Sequence, residues 1–206
     1  MTHSQKAQVQ LLFGTPLWRL SSSSLLSDSL DRIATHVKAD VSSGKINSKY
    51  NKSNFLGSQS LRCPLRECPY LNDSERHELL KMIQSALPLK DSFRIISWIN
   101  CSPANSHNTA HVHPGFEISG VFYIAVPPES GLIVFRDPRP QSEMSLLSNK
   151  ASKVFSALSP RVPLSPEPGD LILFPSWLMH QVEPGSGQQG LRISMALNIT
   201  GLREFE

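Results

Sequence analysis

The sequence predicts a mostly β protein with some α, a double-stranded β-helix or jelly roll with N-terminal helices packed on one face. Three observations predict it. From Ser92 onward, short stretches rich in β-branched and aromatic residues follow one another: "FRIISWIN", "GVFYIAV", "GLIVF", "KVFSAL", "DLILF" and "LRISMALNI". Turn-forming runs such as "VPPESG", "PEPGD" and "EPGSGQQG" separate them. Several of the stretches are apolar on both faces, as strands between packed layers must be. Many short strands with Gly and Pro turns form a sandwich or a barrel.

The elements ahead of this region read in order. "LLFGTPLW" gives a short strand at Leu11–Phe13. After "SSSS", Leu26, Leu30, Ile33, Val37 and Val41 fall three or four apart, which is one stripe of a helix. Gly44 stands where such a helix stops. Residues 45–70 are polar and rich in Asn, Ser and Lys, so they read as a long loop. A second helix begins near Asn72, with Glu75 in capping-box register. Leu79, Leu80, Ile83 and Leu87 make its apolar face, and Pro88 ends it. The length suits one domain, 1–206, with a helical and loop layer over 1–91 and a jelly-roll core over 92–200.

Composition excludes several classes. Hydrophobic residues are 39% and charged residues 18%, a globular balance, and the net charge of +3 is too small and diffuse for a nucleic-acid surface. The densest basic stretch, "KINSKYNK" followed by "RCPLR", reads as a polar loop. No apolar run approaches membrane-spanning length. Gly14 and Pro16 break "LLFGTPLW", and no small-residue cleavage site follows it. Cys63, Cys68 and Cys101 cannot all pair with one another, and Cys63 and Cys68 lack the second pair of a zinc site. Reduced thiols in a cytoplasmic protein are the expectation.

The chemistry concentrates in "AHVHPGFEISGVFYIAV". His111 and His113 are two apart, so on a strand they share a face. A third histidine, His180, comes in "PGDLILFPSWLMHQVEPG", just past an apolar strand. In a jelly roll these places meet at the barrel mouth. Three imidazoles on one side of a metal leave the other side open to substrate or dioxygen. The plainer reading is that the histidines are partly buried and hydrogen-bonded, with no ion. His107, in "NSHNTAHVH", is a competing ligand that reads as a solvated loop residue. In "LRISMALNI", Arg192 and Ser194 share a strand face. A buried Arg needs an anion. Its guanidinium can grip a carboxylate with two parallel hydrogen bonds, and a nearby hydroxyl can add a third. An internal Asp or Glu is the alternative partner.

H-x-H, then a distal His, then R-x-S a dozen residues later, resembles the Fe(II)/2-oxoglutarate-dependent oxygenases. "HVHPGFEISGVFYIAVPPESGLIVFRDPR", "PGDLILFPSWLMHQVEP", "LLFGTPLW" and "SWIN" are similar to a small group of them that carries an H-x-H-P motif. The resemblance runs mainly from Ser97 to Ile199. It implies Fe(II) as the metal, 2-oxoglutarate as cosubstrate and dioxygen as oxidant. It implies His111 and His180 as iron ligands and Arg192, helped by Ser194, as the grip on the distal carboxylate of 2-oxoglutarate. Tyr123 and Asn100 would line the cosubstrate pocket. Most of the wider family has Asp or Glu where this chain has His113. A third neutral imidazole would make the iron site more positive and tighten its hold on an anion. Glu117, beyond the "PG" turn, is the rival third ligand. His113 is too bulky to leave the room for halide found in halogenating relatives.

The implied reaction is hydroxylation of a C–H bond coupled to decarboxylation of 2-oxoglutarate to succinate. Two other readings stay open. One is a cupin-like three-His dioxygenase or isomerase without 2-oxoglutarate, and the other is a non-catalytic jelly-roll binding module. The expected substrate is a small molecule or amino acid, with a protein side chain also open. Lys45–Arg66 and Asp137–Pro168 are long enough to act as lids. Their basic residues, Arg139 foremost, point to an anionic substrate. No nucleic-acid or membrane partner is expected, and a homo-oligomer is compatible with the sequence.

Overall fold

The computed structural model describes residues 14–144, 159–186 and 190–203. In chain order the elements are β1 (Trp18–Ser21), α1 (Ser24–Ser42), β2 (Asn54–Phe55), β3 (Ser58–Gln59), β4 (Cys63–Pro64), α2 (Asp73–Ala86) and β5 (Leu89–Ser102). They continue with β6 (His107–His111), β7 (Ile118–Ala125), β8 (Ile133–Arg136), β9 (Arg161–Leu164), β10 (Asp170–Pro175), β11 (His180–Val182) and β12 (Arg192–Leu202). One sheet has the order β1-β10-β7-β12-β5-β3, with β4 also pairing β5, and the other has the order β2-β6-β11-β8-β9. The strand pairs are antiparallel. Two facing antiparallel sheets with helices on one outer face make the jelly roll that the strand pattern predicts.

Side-chain alternation along β12 explains its apolar sequence. Ile193, Met195, Leu197 and Ile199 join Leu26, Ile33, Leu79 and Ile83 of the two helices in one core. The intervening Arg192, Ser194 and Asn198 are also buried, on the opposite face. β10 divides the same way. Leu171 and Leu173 face the helical layer, while Ile172 and Phe174 pack with Tyr123, Ile133 and Phe135 in a second cluster. The larger sheet is therefore buried on both sides, and the side away from the helices carries Arg192, Ser194 and Asn198.

Both helices follow their periodicity. In α1, Leu26, Leu30, Ile33 and Val37 are buried and Val41 is half-buried. Gly44 takes φ +77° just past the helix end, a conformation that costs glycine little. Asn72 and Glu75 cap α2 reciprocally, the Asn72 amide N–H donating to Glu75 Oε2 at 2.8 Å and the Glu75 N–H to Asn72 Oδ1 at 2.9 Å. Arg32 of α1 also donates to both oxygens of Glu75, at 2.6 and 2.5 Å, so one carboxylate caps a helix and ties two together. Burial opposes ionisation of Glu75. The Asn72 N–H and the Arg32 guanidinium overcome this and hold its pKa below the ordinary 4.5.

Glu75→Gln should therefore cost about 1–2 kcal/mol at neutral pH, the smaller end of a charged hydrogen bond because Arg32 is half exposed. A carboxylate with a lowered folded pKa stabilises above its ordinary value and loses that effect as the pH falls. Urea unfolding should show the gap between wild type and variant closing well below pH 4.5.

Several elements differ from the sequence expectation. Residues 45–70 are not plain loop, because β2, β3 and β4 and the 3-10 turns Ser48–Tyr50 and Leu65–Glu67 lie within them. Two-residue strands are too short to show an alternation, and they form because β5 and β6 offer edges to pair with. β5 starts at Leu89, ahead of Ser92. His107 belongs to β6 and packs its ring, tilted, against Phe55 with centroids 5.0 Å apart, so it is a strand residue and not a loop residue. The strands expected at Leu11–Phe13 and at Lys153–Leu158 lie outside the described residues. Cys63, Cys68 and Cys101 are free thiols. Among the described residues, no helix is long and apolar enough to cross a membrane.

Candidate metal centre and anion pocket

β6 and β11 are neighbours in the smaller sheet, with His111 opposite His180. Two distant histidines thus become cross-strand partners. His113 arrives differently. β6 ends at His111, so His113 is not held on the same strand face as the i, i+2 spacing suggests. The chain turns at Pro114 and Gly115 (φ +85°), and the His113 N–H donates to the Ser176 carbonyl at 2.9 Å. The turn nevertheless brings the third ring to the other two. Ring centroids are 5.0 Å (His111–His113), 4.3 Å (His111–His180) and 5.2 Å (His113–His180) apart. One nitrogen from each ring lies within 4.8 Å of the others.

The cluster is suited to a cation. His111 Nδ1–H donates to the Thr109 carbonyl at 2.7 Å and His180 Nδ1–H to the Leu178 carbonyl at 2.9 Å. Carbonyls only accept, so both Nε2 atoms keep their lone pairs. Burial, then the neighbouring His111, lowers the pKa of His113 to about 4 and that of His180 to about 3. Burial lowers His111 as well. Three neutral imidazoles facing one point form a donor set for a divalent transition metal.

No carboxylate joins this cluster among the described residues. The side chain of Glu117 turns away and accepts the backbone N–H groups of Gly201 and Leu202. The "PG" turn does fold the chain back, but it delivers Glu117 to the far end of β12.

The histidines line a cavity of about 410 Å³ together with Arg192, Ser194, Tyr123 and Asn100. Ser194 pairs with Asn100 on one side and Tyr123 on the other, so three polar residues form a row across β5, β12 and β7. Gln59 of β3 continues the row, its Nε2 donating to Asn100 Oδ1 at 2.7 Å. Arg192 is 7% exposed. Its Nη1 donates to the Gly131 carbonyl at 2.8 Å, and among the described residues no carboxylate pairs with it. A Cβ on Gly131 would stand 1.6 Å from the Glu183 carbonyl oxygen, so only glycine lets that acceptor sit where it does. Burial lowers the Arg192 pKa, and burial lifts the Tyr123 phenol to about 12, leaving it a neutral donor. The pocket thus pairs a cation with hydroxyl and amide donors. It fits an anion with several oxygen acceptors.

Gln59 was not legible as a site residue, because nothing local marks one polar residue within a polar stretch. Arg62 lies within the basic Lys45–Arg66 segment expected to face an anionic substrate, but nothing local singles it out there. Its guanidinium lies 4.5 Å from the centroid of Trp98, and both side chains line the same cavity as Lys52. Arg139 departs from expectation: Asp137 engages it at 2.9 and 2.7 Å, so it is neutralised locally.

A jelly roll carrying a three-histidine cluster beside a buried arginine has the parts that a non-haem metal oxygenase needs. The family model described as "Putative 2OG-Fe(II) oxygenase" matches residues 96–198, and the chain belongs to this family. It is a 2-oxoglutarate-dependent dioxygenase of a family that uses Fe(II) and 2-oxoglutarate. This membership sets aside the cupin-like and non-catalytic readings.

Solved structures agree on the fold. A Pseudomonas putida prolyl-4-hydroxylase is 13% identical with a TM-score of 0.62, over 92% of this chain and 94% of that one. A Trichoplax adhaerens prolyl hydroxylase, in complex with a hypoxia inducible factor oxygen degradation domain peptide fragment, is 11% identical with a TM-score of 0.57, over 90% and 83%. The non-heme alpha ketoglutarate dependent epimerase SnoN from nogalamycin biosynthesis is 11% identical with a TM-score of 0.60, over 91% and 77%. No curated protein sequence matches the chain.

Proposed function

We propose that the enzyme hydroxylates a C–H bond of a small anionic substrate, with His111, His113 and His180 holding Fe(II) and Arg192 holding the distal carboxylate of 2-oxoglutarate. The observation that carries this reading is a buried arginine that has no carboxylate partner among the described residues, in the same cavity as three neutral histidines. When bound, Fe(II) would activate dioxygen, the oxidant, and 2-oxoglutarate would supply two electrons as it is decarboxylated to succinate and carbon dioxide, with one atom of dioxygen entering the substrate.

The chain's own residues bind and orient. Arg192 neutralises the distal carboxylate, and Ser194 adds a hydroxyl donor one pleat away. Asn100, its carbonyl oxygen already engaged by Gln59, has amide N–H groups to offer. Ile133, Phe174 and Val182 line the same cavity and limit water there. On the substrate side, Arg62 and Lys52 supply positive charge, and neither has an ion-pair partner among the described residues. The polar Lys45–Arg66 segment thereby serves as a substrate-facing wall, and the anionic group is assigned to Arg62 rather than Arg139.

The test is turnover under ¹⁸O₂ with Fe(II), 2-oxoglutarate and a panel of small carboxylates, phosphates and amino acids. The expected result is one succinate per substrate oxidised and one ¹⁸O atom in the product. Arg62→Gln should raise the substrate KM by about fivefold, in line with a solvent-exposed charge pair, and leave the 2-oxoglutarate KM alone. Substrate oxygen drawn from water, or oxidation without an inserted oxygen, would overturn hydroxylation.

A further inference from the structure

Three polar side chains behind the histidine cluster are each 1% exposed: Ser119, Ser176 and Asn198. Burying them in a largely apolar sheet is costly unless they bond to one another and to something that needs them. Ser119 Oγ is 2.9 Å from Asn198 Oδ1 and 2.9 Å from Ser176 Oγ. At the other end of the chain of contacts, Asn198 Nδ2 is 3.4 Å from His113 Nδ1. Ser176 also accepts the His113 backbone N–H through its carbonyl. The network therefore holds both the ring and the backbone of the one histidine that no strand ladder holds.

His113 differs from its two neighbours in its partner. His111 and His180 rest their Nδ1–H on backbone carbonyls, which can only accept. His113 faces a side-chain amide, which donates or accepts according to which way it is turned. With nitrogen toward the ring, the amide donates to Nδ1, and the ring proton sits on Nε2. There it points to His180 Nε2, 3.3 Å away and an acceptor because the His180 proton is on Nδ1. Ser176 then donates to Ser119, and Ser119 to Asn198 Oδ1. Every group is satisfied, but the His113 Nε2 lone pair is covered by a proton, so this nitrogen cannot take a metal.

Turning the amide over reverses each bond without breaking the chain. Asn198 Oδ1 accepts the His113 Nδ1–H, Nδ2 donates to Ser119 Oγ, and Ser119 donates to Ser176 Oγ. The Nε2 lone pair is then free. One proton leaves Nε2 for water and one is taken up at Nδ1, so the ring stays neutral. We infer that Asn198 is the positioning residue of the third metal ligand, and that the Asn198–Ser119–Ser176 chain reverses as a unit when metal binds. This inference rests on His113 being a ligand.

The experiment reads the tautomers directly. Two-bond ¹H–¹⁵N spectra of the metal-free and Zn(II)-loaded protein report which ring nitrogen carries each proton. In the metal-free protein, His113 should be protonated on Nε2, and His111 and His180 on Nδ1. With Zn(II), all three should carry the proton on Nδ1. Zn(II) affinity should fall about 10–100-fold in Asn198→Leu, the usual cost of losing a ligand's hydrogen-bond partner, and stay within about threefold of wild type in Asn198→Asp. A carboxylate can only accept, so Asn198→Asp should show the Nδ1–H tautomer of His113 before any metal is added. Equal losses in the two variants, or a His113 proton on Nδ1 in both wild-type states, would overturn the switch. If the His113 ¹⁵N shifts do not move on zinc binding, the ligand assignment itself falls, and the inference with it.

Discussion

Arg192→Leu should weaken 2-oxoglutarate binding more than about a hundredfold while leaving Fe(II) binding close to wild type. The guanidinium is buried, makes one hydrogen bond to the Gly131 carbonyl, and has no carboxylate partner among the described residues. In the proposed complex it is one half of a buried ion pair. Removing one half of such a pair costs about 3–5 kcal/mol, which is two to three and a half decades in affinity. The leucine fills much of the space, so the loss reports the charge and not a collapsed pocket. Anaerobic titration of the Fe(II)-loaded variant with 2-oxoglutarate, alongside Fe(II) titration alone, separates the two effects. An unchanged 2-oxoglutarate affinity would make Arg192 a structural residue that bonds to Gly131 and place the anion site elsewhere.

His111→Ala and His180→Ala should each abolish stoichiometric Fe(II) binding, a loss beyond the 10–100-fold expected for an outer hydrogen-bond partner. Both rings sit in a β6–β11 ladder that the backbone holds, and their removal leaves that ladder intact. Circular dichroism of the variants should therefore match wild type. His113→Ala and Glu117→Gln complete the series. The Glu117 carboxylate is occupied by the Gly201 and Leu202 amides, so Glu117→Gln should keep iron and His113→Ala should lose it. The opposite pattern in an anaerobic metal titration would replace the three-histidine set with two histidines and a carboxylate.

Much of this arrangement could be read before any tertiary contact was known. The two helices announced themselves because burial of one face selects apolar residues at a period that matches the helical turn, as with Leu26, Leu30, Ile33 and Val37. The capping box of Asn72 and Glu75 is local by construction and was legible for the same reason. Arg192 and Ser194 could be placed together because strand alternation puts residues two apart on one face, and an arginine among apolar neighbours declares a need for an anion.

What folding alone decided involves partners distant along the chain. His111 meets His180 through a strand pairing, and His113 reaches them by a turn past the end of β6. Gln59 joins Asn100 across forty-one positions, and Arg62 lies on Trp98. Ser119, Ser176 and Asn198 look like ordinary strand and turn residues until three separate segments bring them within hydrogen-bond reach behind one histidine. Periodicity records which face of an element is buried. It carries no record of what lies across the interface, because that depends on sheet order and register, which long-range pairing sets.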